Sequence, residues 1–536
     1  MALSDEQLAA ARRTGQDVCT VAGPGSGKTR VLVERYAWLA GERARPEAIL
    51  AITFTEKAAR EIKTRLVRHF EGRPEMRTRI ERALVSTIHG FCHGVLREFA
   101  TRAGIDPAFR VMDEYEARRE QARAIEEALN RFIQERRAEF YALAEAWAAE
   151  DFAEEILALS ERLRLAGGAR KALAVLPEYD AGTLVREIEA ALRASLDGTN
   201  ARTPTQIASR DAVRDWLAGD PGDLLERLER VGKIRLPSGK GVEALNAALK
   251  QARETAGSAI AEAIGERYRP CLSTLGDMLT QCEREFADRK RAQGALDFGD
   301  LEEQTLLLLE GDETIRRTVS ERFDAILMDE LQDTNPIQWR IVNAIRREGR
   351  FFAVGDINQS IFGFRGANPR QFKAYQEGVE QRGWTVDRLE TNYRSRPGIL
   401  RAVEAICVHT GLEGISAHRL MAGGVFAEEA APCVEVLRAE DDAPEAAWVA
   451  RRIVELKQDL RIGPERRALR YSDIAILARG AAVFDEYESA LRAAGVPCVV
   501  QRGRNFFDEA EIVDLLNLLR VLVNPRDEPA MLARCV

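Results

Sequence analysis

Cysteine and histidine are scarce in this sequence, and their placement excludes more than their number does. The eight cysteines are scattered, the closest pair, Cys271 and Cys282, lies eleven positions apart, and no CxxC occurs. Zinc ribbons, redox dithiols and iron–sulfur clusters need tighter spacing, and scattered free thiols suit a reducing compartment. The five histidines form no HExxH pair, which removes a common zinc-protease signature. Long apolar runs are missing too. Ala48 to Phe54 and the broken run Leu515 to Val523 fall short of the ~18 residues a membrane span requires. Met1 to Gln16 contains no apolar secretory core, so a cytoplasmic location with no membrane partner is expected. There is no excess of positive charge: 78 basic residues against 86 acidic ones leave a net charge of −8. A nucleic-acid partner would therefore be held by local basic surface rather than by bulk charge.

What is present is an ordinary soluble composition, 46% hydrophobic and 31% charged over 536 residues. At roughly 150 residues per domain this suggests three to four domains. Short apolar runs alternate with helical patterns in the first hundred residues, the pattern of βαβ units and a parallel sheet. Val18 to Ala22 and Ile49 to Phe54 read as strands. From about Asp113 to Arg291, Ala, Glu, Arg and Leu recur at helical spacing, which predicts a helical insertion. Strand signals return at Phe323 to Met328 and Phe351 to Gly355, so the first sheet is expected to resume and its domain to be discontinuous. Beyond Asn392, Val434 to Leu437, Ile474 to Leu477 and Val496 to Val500 read as strands of a second α/β domain, with Ala446 to Leu456 as a helix between them.

Four groups of residues carry chemistry. Ala22-Gly23-Pro24-Gly25-Ser26-Gly27-Lys28-Thr29 follows a predicted strand and opens a predicted helix. Glycines there let backbone N–H groups turn toward phosphate oxygens, Lys28 can reach β/γ oxygens and Thr29 can ligate magnesium. ATP with Mg2+ is the expected ligand. Asp329-Glu330-Leu331-Gln332-Asp333 follows another apolar run, so its carboxylates emerge where parallel sheets bind ligands. Asp329 suits the metal, and Glu330 suits the base that activates water. In Val354 to Ala367, Gln359 stands where it could sense a γ-phosphate. Phe362 and Phe364 read either as core residues or as platforms for unpaired bases. Thr53 to Ala59 and Ser86 to Cys92 offer Phe54, Thr55, Thr87 and His89 for strand phosphates and bases. Between Arg60 and Arg82, eight basic residues face four glutamates. This segment reads either as a DNA track or as a solvated helix face with pairs such as Glu61–Arg65.

Taken in order, these segments resemble the motif series of superfamily 1 helicases of the UvrD/Rep type, most like the AddA and RecB helicase subunits. Ala22 to Thr29 resembles motif I, Thr53 to Ala59 motif Ia, Ser86 to Cys92 motif Ib, Asp329 to Asp333 motif II and Gln359 to Ala367 motif III. Leu3 to Gln7 resembles the adenine-reading Q motif, which implies that Gln7 reads the base. Leu389 to Ser395 resembles motif IV, which implies that Tyr393 stacks on adenine and Arg394 contacts the γ-phosphate. Arg365 falls in the motif III segment that implies DNA contact. Asp297 to Asp300 and Tyr471 to Arg479 also look like family landmarks. The chain departs from the pattern at Leu331, Phe362 and Phe364, where the family usually has other aromatic or small residues.

The resemblance implies an α/β fold with two RecA-like parallel-sheet P-loop NTPase domains, the second incomplete, and a helical 1B-type insertion. The implied boundaries are 1–112 with 292–388 for domain 1A, 113–291 for the insertion and 389–536 for a partial 2A domain. The implied activity is ATP-dependent DNA unwinding or 3′ to 5′ translocation on single-stranded DNA in repair and recombination, with single-stranded and duplex DNA as partners. No motif V, motif VI, 2B insertion or nuclease domain is recognised, so a C-terminally truncated motor is expected. The alternative is an ATP- and DNA-binding subunit that does not unwind, working with a nuclease partner subunit in an AddAB/RecBCD-type complex.

Overall fold

The structure, a computed structural model, describes residues 3–147, 151–165, 168, 180–219, 223–409, 421–424, 426, 433–438, 445–463, 466–500 and 510–523. They fall into two compact units. One comprises 1–91, 316–334 and 342–536, the other 92–315 and 335–341. Strands run in the order β1 (Val18–Ala22), β2 (Ile49–Thr53), β3 (Val85–Thr87), β4 (Arg110–Val111), β5 (Ala295–Leu296), β6 (Ala325–Met328), β7 (Phe351–Gly355) and β8 (Val386–Leu389). Helices used below are α1 (Asp5–Arg12), α2 (Lys28–Glu42) and α3 (Glu56–His69).

In the first unit six strands form one sheet in the order β3-β2-β6-β7-β1-β8, and every pairing in it is parallel. All residues of β1, β2, β6 and β7 are buried. That is why they read as continuous apolar runs rather than alternating ones: a parallel sheet is covered on both faces. Val31, Leu32 and Tyr36 of α2 and Ile62 and Leu66 of α3 pack with Val18, Ile49, Leu327 and Phe352 in one core. The expected strands form where predicted, except that β6 starts at Ala325 rather than Phe323 and Phe54 falls just beyond β2.

The second predicted strand series behaves differently. Helix Glu445–Asp459 forms, and Ala450 and Ile453 pack with Leu491 and Val496 in a small core. Yet among the described residues Val434–Leu437, Ile474–Leu477 and Val496–Val500 pair with no neighbour. A β-branched run becomes a strand only when an adjacent chain accepts its backbone hydrogen bonds. Val436, Leu477 and Val499 are 92%, 94% and 90% exposed, so no sheet face covers them.

The second unit is helical, as the insertion predicts. Helices Glu114–Glu135, Arg137–Trp147, Phe152–Leu165, Ala181–Leu196, Pro204–Ala218 and Leu224–Lys233 precede the 50-residue helix Glu243–Ala292. One core gathers Ile125, Phe132, Ile156 and Met278, and another gathers Ile188, Leu192, Trp216, Leu228 and Leu249. Where the insertion begins and ends, β4 pairs with β5. Next to β5, Asp297 caps helix Phe298–Gly311, and a buried charge cluster forms. Arg164 donates to Asp297 (2.8 Å), Asp300 (2.8 Å) and Glu303 (3.1 Å). Lys290 donates to Asp297 (2.8 Å) and Asp300 (2.7 Å). A Cβ on Gly299 would stand 2.6 Å from the Arg164 guanidinium carbon, so only glycine lets the arginine reach both aspartates. Among the described residues no helix is long and apolar enough to cross a membrane.

Candidate nucleotide and DNA site

Strand order builds the site. β6, β7 and β1 are consecutive neighbours, so their carboxyl ends stand side by side at strand spacings of about 4.8 Å. The glycine-rich loop after β1 takes left-handed backbone at Gly25 (φ 69°) and Gly27 (φ 92°). Ser26 Oγ closes the loop by donating to the Gly23 carbonyl at 2.7 Å. No side chain caps α2, whereas Ser4 caps α1 and Thr55 caps α3. The first N–H groups of α2 are therefore left for a ligand, and the helix dipole makes an anion the favoured one.

Gln7 is buried behind this loop. Its Nε2 donates to the Ser26 carbonyl (2.7 Å), and its Oε1 accepts from the Ser4 N–H (3.1 Å). One N–H and one lone pair of the amide remain for a base edge. A Cβ on Gly27 would stand 2.8 Å from Gln7 Nε2.

At the neighbouring strand ends, side chains close a hydrogen-bonded ring. Lys28 Nζ donates to Glu330 Oε2 and to Gln359 Oε1, both at 2.8 Å. Gln359 Nε2 donates to Asp356 Oδ2 at 2.7 Å. The Asp356 N–H donates to Gln332 Oε1 at 2.9 Å, and Gln332 Nε2 donates back to Glu330 Oε2 at 2.8 Å. Lys28, Glu330 and Gln359, singled out from sequence, are thus brought together, and Gln332 and Asp356 join them. Glu330 is held at φ 51°, a left-handed conformation that costs a non-glycine residue roughly 1 kcal/mol and clusters at functional sites.

The carboxylates here are short of positive charge. Burial, then the Glu330 charge, pushes Asp329 up to about 7, with Lys28 only partly offsetting them. Burial and Glu330 also push Asp333 up to about 6, and Asp333 Oδ1 is buried with no hydrogen-bond partner. A magnesium–nucleotide fits this donor set. Thr29 lies in the first turn of α2, Asp329 is a buried oxygen ligand next to the lysine that would hold phosphate, and Mg2+ uses one or two protein oxygens plus phosphates.

The segment after β8 is stitched to the same loop. Asn392, fully buried, donates from Nδ2 to the Pro24 carbonyl (2.5 Å) and accepts at Oδ1 from the N–H groups of Arg394 (2.8 Å) and Ser395 (2.7 Å). The Tyr393 N–H donates to the Gly25 carbonyl at 2.9 Å. A Cβ on Gly25 would meet Arg394 Cβ at 2.7 Å. Tyr393 and Arg394 are therefore exposed beside the glycine loop.

The aromatic residues gather beyond β2 and β7. Phe54 and Phe362 have ring centroids 4.4 Å apart, and Phe362 and Phe364 lie 5.8 Å apart. The Arg365 guanidinium stands 5.9 Å from one of the latter rings and 6.0 Å from the other. Phe364 is 78% exposed, so of the two readings left open the core reading fails for it. Thr55 spends its hydroxyl on the α3 cap. Thr87 ends β3, donating to Glu56 (2.9 Å) and accepting from the Gly90 N–H (3.2 Å), with His89 in the following helical turn. Along Arg60–Arg82, Arg65 pairs with Glu61 and Arg79 with Glu47, which favours the solvated-face reading at those two positions.

Sequence reasoning missed Gln332, Asp356 and Asn392 as site residues. The available signal was that each is a short polar residue directly after an apolar run.

Known proteins agree with this geometry. Residues 3–380 match the UvrD/REP helicase N-terminal domain and residues 388–535 the UvrD-like helicase C-terminal domain. The chain is 29% identical to AddA of the ATP-dependent helicase/nuclease of Geobacillus kaustophilus (strain HTA426), over 98% of this chain and 51% of that protein. The protein of the same name from Geobacillus thermodenitrificans (strain NG80-2) is also 29% identical, over 97% of this chain and 51% of its own length. The one from Listeria monocytogenes serotype 4b (strain F2365) is 26% identical, over 97% of this chain and 51% of that protein. The chain thus spans about half the length of the curated relatives it matches. With its sheet order, glycine loop and both domain matches, the chain belongs to the UvrD-like helicase family.

Proposed function

We propose that this chain is the ATP-hydrolysing motor of a cytoplasmic DNA helicase that moves along single-stranded DNA in repair and recombination. The observation that carries the reading is the convergence of Lys28, Glu330 and Gln359 within 2.8 Å contacts at three adjacent strand ends. In this reading residues 1–112 with 292–388 form domain 1A, 113–291 the 1B-type insertion and 389–536 part of domain 2A.

Ala22 to Thr29 cradle the phosphates of ATP, with Gln7 and Tyr393 at the adenine. Thr29 and Asp329 hold Mg2+, which when bound neutralises β- and γ-phosphate oxygens. Lys28 exchanges its Glu330 partner for phosphate oxygens, which leaves Glu330 with Gln332 as its donor and raises its capacity to take a proton from water. Gln359 loses the same lysine and turns to the γ-phosphate. Arg394 beside the loop supplies the guanidinium, a device worth about 10³–10⁵ in rate. Phe54, Thr55, Thr87, His89, Phe362, Phe364 and Arg365 make the DNA track, bases stacking on the rings.

A second reading is favoured by the names and lengths of the relatives: the chain works as the motor part of a helicase–nuclease protein with a nuclease partner. The experiment that tests the motor reading is ATP hydrolysis by this chain with and without a single-stranded oligonucleotide, with Lys28→Ala as the blank. Turnover that rises with DNA and vanishes in the variant is expected. Turnover that ignores both would remove the reading.

A further inference from the structure

We propose that Gln332 is a positioning residue that couples Glu330 to the loop carrying Phe362 and Phe364, and so links nucleotide binding to DNA binding. The inference rests on the nucleotide and DNA reading above and adds the connection between the two ligands.

Gln332 is 1% exposed and belongs to a short turn, Leu331–Asp333, directly after the strained Glu330. Its amide spans two motifs: Nε2 donates to the Glu330 carboxylate and Oε1 accepts the Asp356 N–H, at 2.8 and 2.9 Å. The amide cannot flip without setting its NH2 against an N–H and its carbonyl against a carboxylate. A second thread runs the same way, since Ser360 Oγ donates to the Gln332 carbonyl at 3.2 Å.

Asp356 in turn organises the loop. Its carboxylate accepts from the Asn358 N–H (3.0 Å) and from Gln359 Nε2 (2.7 Å), and Phe362 follows three residues later. Gly355 is fitted to the bridge: a Cβ there would stand 2.5 Å from Gln332 Oε1. Any phosphate that draws Lys28 from Glu330 and Gln359 therefore perturbs both ends of a connection whose middle is Gln332.

The test measures coupling by binding, so it does not depend on turnover. Affinity for a fluorescent single-stranded oligonucleotide is measured with and without a non-hydrolysable ATP analogue and Mg2+, in the wild-type chain and in Gln332→Met. Methionine keeps the side-chain length and loses both hydrogen bonds. In the wild type the analogue should change oligonucleotide affinity by about 5- to 150-fold. In Gln332→Met each ligand alone should bind within a few-fold of wild type while that factor falls to about one.

A factor retained in Gln332→Met overturns the proposal, as does a variant that simply loses one ligand, since that is a structural role. Wild type that binds both ligands without coupling also overturns it. Wild type that binds neither ligand removes the motor reading itself, a separate result. Should Gln332→Met melt below the assay temperature, Gly355→Ala displaces Oε1 without removing the amide and must lose the same factor.

Discussion

Two buried acidic clusters in this chain meet opposite fates. Asp297, Asp300 and Glu303 face Arg164 and Lys290. Although burial alone would push Asp297 up, the two cations hold it well below the usual carboxylate range. Asp329, Glu330 and Asp333 have Lys28, and there burial and mutual repulsion win, pushing Asp329 and Asp333 up to about 7 and about 6. Burying a carboxylate is costly unless a cation and hydrogen bonds compensate. The first cluster is completed by its own chain. The second is left wanting a cation, which marks it as a ligand site where acidity alone would not.

The largest expected effect comes from removing the cation or the base of the wanting cluster. Lys28→Ala should abolish ATP turnover. Glu330→Gln should keep ATP binding and lower turnover by about 10²-fold or more, measured by single-turnover hydrolysis beside nucleotide titration. Unchanged turnover in Glu330→Gln would remove it as the base.

Breaking the completed cluster should act on stability instead. Arg164→Met strands Asp297 and Asp300 and should cost about 3 kcal/mol, near the low end for a buried pair because solvent reaches part of the arginine. Denaturant unfolding reads it directly. A loss under about 0.5 kcal/mol would mean that Lys290 suffices.

The clusters also predict opposite pH signs. Asp329 titrates higher in the folded chain than the usual ~3.9, so the folded state holds a proton the unfolded state has released. Its stability is greatest at low pH and declines as pH rises through about 7. Without metal or nucleotide the chain should therefore be about 2 kcal/mol more stable at pH 5.5 than at pH 8, and Asp329→Asn should flatten that difference. Asp297, titrating low, contributes stability that is lost only as pH falls below the ordinary carboxylate value. A flat profile in the parent chain would contradict the charge deficit at Asp329.

The smallest effect is expected outside both clusters. Phe364→Ala should weaken oligonucleotide binding by about 1–3 kcal/mol, the loss of one stacked base, and leave nucleotide affinity where it was. Fluorescence anisotropy separates the two. Equal weakening of both ligands would return Phe364 to a packing role.

Legibility in the sequence followed the range of the interactions. β1, β2 and β7 were readable because burial on both faces leaves uninterrupted apolar runs, and the residues just past them carry the chemistry. The Gln332–Asp356 bridge was not readable: it exists only because β6 and β7 are sheet neighbours, a fact of topology rather than of local pattern. The same holds for Arg164, which meets Asp297 across more than a hundred residues. The runs at 434–437, 474–477 and 496–500 show the converse. Their composition suits strands, but pairing belongs to the neighbour as much as to the run, and among the described residues none provides it.

The left-handed backbone at Glu330 also shapes which mutations this position can survive. Single-base changes from a glutamate codon reach Gln, Lys, Asp, Gly, Ala and Val. Valine, β-branched, is the one the backbone resists most, while Asp and Gly accept the conformation readily. Glycine would thus erase the carboxylate while relaxing the turn, an inactive yet sturdier protein. Drift at this position would favour well-folded, catalytically silent descendants over unstable ones, and such copies could still occupy DNA in competition with the working form.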